Sequence, residues 1–79
     1  MWVRTQDKRI LVNIIRFNVK NIYGGDKKAA ICGEYEKKSL FGDNYIILGK
    51  YNTMDNAIEE LNEIEKHITH KSNEVYSMK

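Results

Sequence analysis

At 79 residues the chain has room for one domain, in which only about 60% of the unfolded surface can be buried. Its single cysteine, Cys32, excludes an internal disulfide and leaves no Cys/His cluster for a structural zinc, so stability must come from packing or from partner subunits. The longest apolar run falls far short of the ~20 residues that span a membrane, and a net charge of +2 argues against a non-specific nucleic-acid binder.

Met1 to Gln6 alternates, with Trp2, Arg4 and Gln6 on one side and Met1, Val3 and Thr5 on the other, which predicts a first strand. Its opening leads into polar residues rather than an apolar segment, so no secretory signal is expected and the cytoplasm is the default location. Asp7-Lys8-Arg9 turns the chain. Ile10 to Val19 is a long β-branched second strand whose apolar phase changes: Ile10, Val12 and Ile14 are even, Ile15, Phe17 and Val19 odd. A period of two cannot switch parity without a bulge, or without both faces being buried in the first half.

Tyr23-Gly24-Gly25-Asp26 is a hairpin turn, since paired glycines supply positive φ angles. Lys28 to Tyr35 is the third strand, and its small residues leave room for a large neighbour, with Trp2 or Phe17 over Ala30 or Gly33 as the expected filling. Glu36 to Asn44 reads as a polar loop with a second turn at Gly42-Asp43-Asn44, and Tyr45 to Tyr51 as the fourth strand. Thr53 then caps a helix in which Met54, Ala57, Ile58, Leu61, Ile64 and Ile68 recur at three- and four-residue spacing, with Glu59, Glu60, Glu63 and Lys66 on the opposite side. On that reading, truncating Leu61 costs about 2–5 kcal/mol and truncating Glu60 almost nothing. Residues 71–79 lack periodicity and are expected to fray, although Val75-Tyr76 could dock.

The order β-β-β-β-α predicts an α+β fold: a single domain over residues 1–70, with a four-stranded antiparallel sheet and one C-terminal amphipathic helix packed on one face. Both parities of the second and fourth strands are apolar, so the face left open by the helix needs cover, and a homo-oligomer formed through it is the expected solution. Ten basic residues against five acidic precede Thr53, and three against six follow. The sheet side should therefore be basic, suited to an anionic ligand, and the helix side acidic.

Nothing in the sequence resembles an enzyme site. Ser39, Ser72 and Ser77 have no histidine arranged as a base, Cys32 sits among apolar neighbours, and Gly24-Gly25 joins strand to strand rather than strand to helix. His67 and His70 with Glu63 could ligate a metal from one helix side, but three ligands beside a fraying tail make a weak site, surface histidines at the negative pole of the helix dipole are the better reading, and neither metal nor cofactor is expected. The candidate ligand set is Trp2, Arg4 and Gln6, with Asp7 in the turn and Arg16 or Lys20 from the next strand. Together these offer a stacking surface, a planar cation for phosphate, and an amide for a base edge or ribose. The alternative is that Trp2 is core and Arg4 covers it with its aliphatic stem.

Met1-Trp2-Val3-Arg4-Thr5-Gln6-Asp7-Lys8, followed by Leu11-Val12-Asn13, resembles the Met-Trp-Ile-Arg-Ser-Gln-Asp-Lys opening of a group of short uncharacterised proteins from Gram-positive bacteria, their phages and other mobile elements. Leu48-Gly49-Lys50-Tyr51-Asn52-Thr53 with Ala57, Leu61 and Ile64 is similar to that group's ending. Thr5 replaces the usual serine and Met54 an acidic residue. The likeness covers about half of the chain, at its two ends, and implies a bacterial or phage context, with the host cytoplasm as location, but no activity. Two functions are compatible with all of this. One is a non-enzymatic, homo-oligomeric binder that sequesters an anionic nucleotide-like ligand, such as a phage anti-defence sponge for a signalling nucleotide. The other is a protein-interaction module or small inhibitor that docks on a host or partner protein.

Overall fold

The computed structural model describes residues 1–35 and 44–79. Most of the loop expected at residues 36–44, including Gly42 and Asp43 of its turn, lies outside them. The elements run β1 (Trp2–Arg4), β2 (Leu11–Asn21), β3 (Ala29–Tyr35), β4 (Tyr45–Tyr51), α1 (Met54–Lys71) and β5 (Tyr76–Ser77). The fold is α+β with one C-terminal helix packed on a sheet, but the sheet has five strands in the order β4-β3-β2-β1-β5 and is mixed, because β5 pairs parallel to β1. The four-stranded, wholly antiparallel sheet expected from the hairpins is thereby corrected. No helix among the described residues is long and apolar enough to cross a membrane.

The parity switch in β2 is a bulge. Ile14 opposes Tyr35 while Arg16 opposes Glu34, so one extra residue, Ile15, is inserted between them. Before the bulge Val12 and Ile14 face the core, and after it Phe17 and Val19 do. The same strand pairs with β1 over Leu11–Asn13 and with β3 from Ile14 to Asn21. A second register shift in β4 opposes Ile31 to Gly49 and Cys32 to Ile47, leaving Leu48 as the extra residue.

Val3, Ile14, Ile31, Leu48 and Ile64 are the largest fully buried side chains and form the centre of the core. Gly33 lies beneath two of them: a Cβ there would come within 2.6 Å of Ile14 Cδ1 and 2.9 Å of Leu48 Cδ1. The room left by small residues in β3 is thus filled by Ile14 and Leu48, with Phe17 opposite Gly33 in the ladder, and not by Trp2. On the sheet's other face Ala30 and Cys32 are also buried, flanked in register by Asn18 and Lys20 of β2 and by Ile47 and Lys50 of β4.

Gly24 and Gly25 both have positive φ, as the β2–β3 turn requires. Thr53 caps α1: its hydroxyl accepts from the Asn56 amide at 3.0 Å. The helix buries Ala57, Glu60 and Ile64, while Ile58 and Ile68 are exposed. The buried stripe is therefore rotated towards Glu60 relative to the expected one. The reason lies in residues 71–79, where the sequence suggests fraying and the structure shows a docked strand. Tyr76 opposes Val3, Met78 donates its amide to the Arg4 carbonyl at 3.0 Å, and both side chains are buried. This segment lies against the Glu60 side of the helix, where Glu60 Oε2 accepts the Lys79 amide at 2.7 Å. The His67 ring packs edge-on to Tyr76 and its Nε2–H donates to the Glu74 carbonyl at 2.7 Å.

Ile64→Ala should cost about 2–5 kcal/mol, since it leaves a cavity in a small core, and Glu60→Ala roughly 1–3 kcal/mol through loss of a charged hydrogen bond. Ile58→Ala should stay within about 0.5 kcal/mol, as a surface change. Urea melts of the three variants check the ranking, and equal losses from Ile64 and Ile58 would contradict this helix face.

Candidate functional site

Val3 is fully buried, and the pleat therefore turns Trp2 and Arg4 outward on the face opposite the helix. Trp2 is 51% exposed, which rules out a core role. In register, Trp2 lies across from Asn13 and Arg4 from the exposed Leu11. Tyr45 and Ile47 of β4 are exposed too, and Lys20 holds its ammonium 5.4 Å from the centre of the Tyr45 ring. This outer face is thus basic and aromatic, with apolar side chains left in solvent.

The six candidate residues do not converge. Gln6 lies beyond the end of β1 and acts as a clamp. Its backbone amide donates to the Leu48 carbonyl at 2.8 Å, its Oε1 accepts the Lys50 amide at 2.8 Å, and its Nε2 donates to the Lys50 carbonyl at 3.2 Å and the Lys79 carbonyl at 3.1 Å. The side-chain amide thus imitates a peptide unit of a neighbouring strand and ties the β1–β2 turn to β4. Gly49 makes room for it, since a Cβ there would stand 3.2 Å from Gln6 Cβ and Cδ and 2.8 Å from the Tyr51 hydroxyl.

Asp7 is likewise engaged. Its Oδ1 accepts from the Thr5 hydroxyl at 2.6 Å and from the Arg9 amide at 3.0 Å. These bonds, the Thr5 hydroxyl foremost, hold its carboxyl below the usual range. They also fix the tight turn in which Lys8 has positive φ.

Arg16 lies 3.7 Å from Glu34, in an exposed pair worth little by itself. Lys20 sits seven residues along β2 from Asn13, the residue opposite Trp2, or at most about 23 Å at the rise of a strand. Trp2 and Arg4 therefore form one outward group, Arg16 and Lys20 another further along the strand, and Gln6 and Asp7 belong to the turn.

A cavity of about 330 Å³ does open beside that turn, with Ile10, Ile47 and Leu48 as apolar wall and Lys27 and Lys50 among its lining residues. Lys27 donates to Asn52 Oδ1 at 2.9 Å. Neither lysine was singled out by the sequence, because both read as solvated strand and turn charges. Among the described residues the buried hydroxyls of Tyr51 and Tyr76 have no hydrogen-bond partner, and burial, then the negative charge of Glu60, pushes both phenols well above the ordinary tyrosine range. The alternation Tyr76, Ser77, Met78 was the signal available for that docked strand. Among the described residues no cluster of three His, Cys, Asp or Glu side chains could hold a metal. His67 and His70 are not joined by a third ligand, and His67 is committed to the Glu74 carbonyl.

No protein-family model matches the chain, and neither a curated protein nor a solved structure matches it.

Gln6→Ala and Gly49→Ala should act alike, the first removing the clamp and the second displacing it. Hydrogen exchange is expected to speed up at the Lys50 amide in both, with stability falling by roughly 1–3 kcal/mol. Unchanged Lys50 protection would contradict the clamp. For the phenols, the folded state holds its protons more tightly than the unfolded chain. Their contribution to stability is therefore complete below the unfolded tyrosine value of about 10 and is lost as pH rises towards the folded values. In a base titration followed by ultraviolet absorbance, part of the tyrosine signal should appear only together with unfolding.

Proposed function

We propose that the chain is a non-enzymatic binding protein that works by docking its outer sheet face on a partner protein. The observation that carries this reading is the exposure of Trp2 beside Leu11 and Arg4. An indole held half in solvent by a buried neighbour is expensive to keep on a solvent face and suits an aromatic anchor with a cation at its rim. The commitment of Gln6 and Asp7 to hydrogen bonds within the fold favours docking over a ligand pocket built from Trp2, Arg4, Gln6 and Asp7.

A second reading, capture of a small anionic nucleotide-like molecule, is favoured by one observation: the cavity that has Lys27 and Lys50 over an apolar wall of Ile10 and Ile47. A phosphate would pair with the two ammonium groups and a base would lie against the isoleucines. On this reading the protein is a sponge for a signalling nucleotide, with the site moved from Trp2 to the turn.

Affinity capture with wild type, Trp2→Ala, and Lys27→Ala/Lys50→Ala, together with calorimetry against a panel of cyclic and linear nucleotides, separates the two. Docking predicts a retained protein that Trp2→Ala loses with its melting temperature nearly unchanged, and no heat from any nucleotide. A nucleotide heat abolished by the double lysine variant and kept by Trp2→Ala would replace docking with capture.

A further inference from the structure

Beyond its bulge, β2 carries an edge that is free among the described residues. β1 pairs with β2 only at Leu11, Val12 and Asn13, and the Met1–Ile14 bonds end that ladder. From Ile15 to Asn21 no described residue pairs with the same edge, while β3 occupies the other. The direction of the backbone groups follows from the hairpin. The Ile22 amide donates to the Lys28 carbonyl at 2.9 Å, and bonded pairs recur at every second residue of an antiparallel ladder. Arg16, Asn18 and Lys20 therefore aim their amides and carbonyls at β3, and Phe17, Val19 and Asn21 aim theirs outward. Burial agrees: Phe17, Asn18 and Val19 are half-buried, whereas Ala29 to Gly33 of β3 are buried throughout.

We infer that two copies of the chain associate through this edge, with their β2 strands antiparallel about a two-fold axis at Asn18, so that the two sheets become one. The register follows from self-complementarity. With Asn18 on the axis, Phe17 meets Val19 of the partner subunit at a bonded pair, exchanging both hydrogen bonds and placing an aromatic against a β-branched side chain on the core face. Asn18 meets its own copy at a non-bonded pair, where side chains come closest. Among the described residues the buried Oδ1 of Asn18 has no hydrogen-bond partner in the single chain, and a turn of the side-chain amide brings it to the facing amide. Over the edge, cavities of about 330 Å³ and 510 Å³ lie between β2 and α1, where Phe17 and Ile15 face Ile68. Ile15, 60% exposed, stands across from Asn21 of the partner subunit at the end of the joint sheet.

One contact opposes the pairing. Arg16 stands across from Lys20 of the partner subunit on the solvent side, and among the described residues only Glu34, 3.7 Å from Arg16, offsets it. The association is therefore predicted to tighten as ionic strength rises, the opposite of what attraction between the basic sheet side and the acidic helix side of two copies would give. The pairing does not depend on what the outer face binds; it sets two such faces side by side.

Light scattering and sedimentation over a concentration series test it. Wild type should show twice the chain mass at micromolar concentration, more completely at high salt. Val19→Pro removes an amide that only the partner uses and should leave a folded monomer, as should Asn18→Lys, which adds two cations to the four already at the axis. Asn18→Cys on a Cys32→Ala background should cross-link to a covalent dimer on oxidation, whereas Lys20→Cys on that background should not. Trp2→Ala should remain dimeric, so that loss of partner docking and loss of the dimer are read separately. A monomer mass for wild type at every concentration, a dimer that loosens with salt, or a dimer kept by folded Val19→Pro and Asn18→Lys would overturn the inference.

Discussion

The single extra residue at Ile15 is the constraint from which most of the structure follows. By shifting the register of β2 between Ile14 and Arg16, it lets one strand send Val12 and Ile14, then Phe17 and Val19, into the same core. It also bends the strand, so that its two halves serve different neighbours. The first half binds β1 and the second β3. Without that shift, half of the apolar residues in the longest strand would face water, and a single helix could not cover them. The free edge beyond Ile15 is the other side of the same arrangement.

A small core also needs its margins closed, and here polar groups do what apolar area cannot. Gln6 joins the β1–β2 turn to β4 with its side chain, Glu60 receives the backbone at Lys79, and His67 holds the Glu74 carbonyl. Each is a conventional surface residue type placed where an irregular segment would otherwise leave backbone groups unpaired. They explain why the helix turns its Glu60 side inward. An alanine, an isoleucine and a carboxylate share the buried stripe because the docked C-terminal segment offers the Lys79 amide as well as the Tyr76 ring.

The candidate site was legible only in part. That Trp2 and Arg4 share a side follows from strand periodicity, and they do project together from the outer face. Extending the same alternation to Gln6 carried it past the end of β1, where the chain already turns. Asp7 reads as a possible ligand acceptor when its neighbours are unknown, yet its carboxylate is taken up by Thr5 and Arg9 within the turn. Arg16 and Lys20 are near Trp2 in order but separated from it along β2. Lys27 and Lys50 meet at a cavity only because the turn after β2 and the end of β4 are brought together.

The sequence by itself determined four of the five strands, though it ran β1 on to Gln6, together with the capped helix, the glycine turn at Gly24-Gly25, and a change of apolar phase within β2. These are local properties, set by φ preference, side-chain alternation and capping within a few residues, and they leave their period in the chain. Which face of α1 is buried, where residues 71–79 go, whether Trp2 is core or surface, and which polar groups remain free were decided only in the tertiary structure. Each depends on a contact between segments far apart in sequence, such as Gln6 with Lys50 or Glu60 with Lys79, and residue spacing carries no record of such a contact.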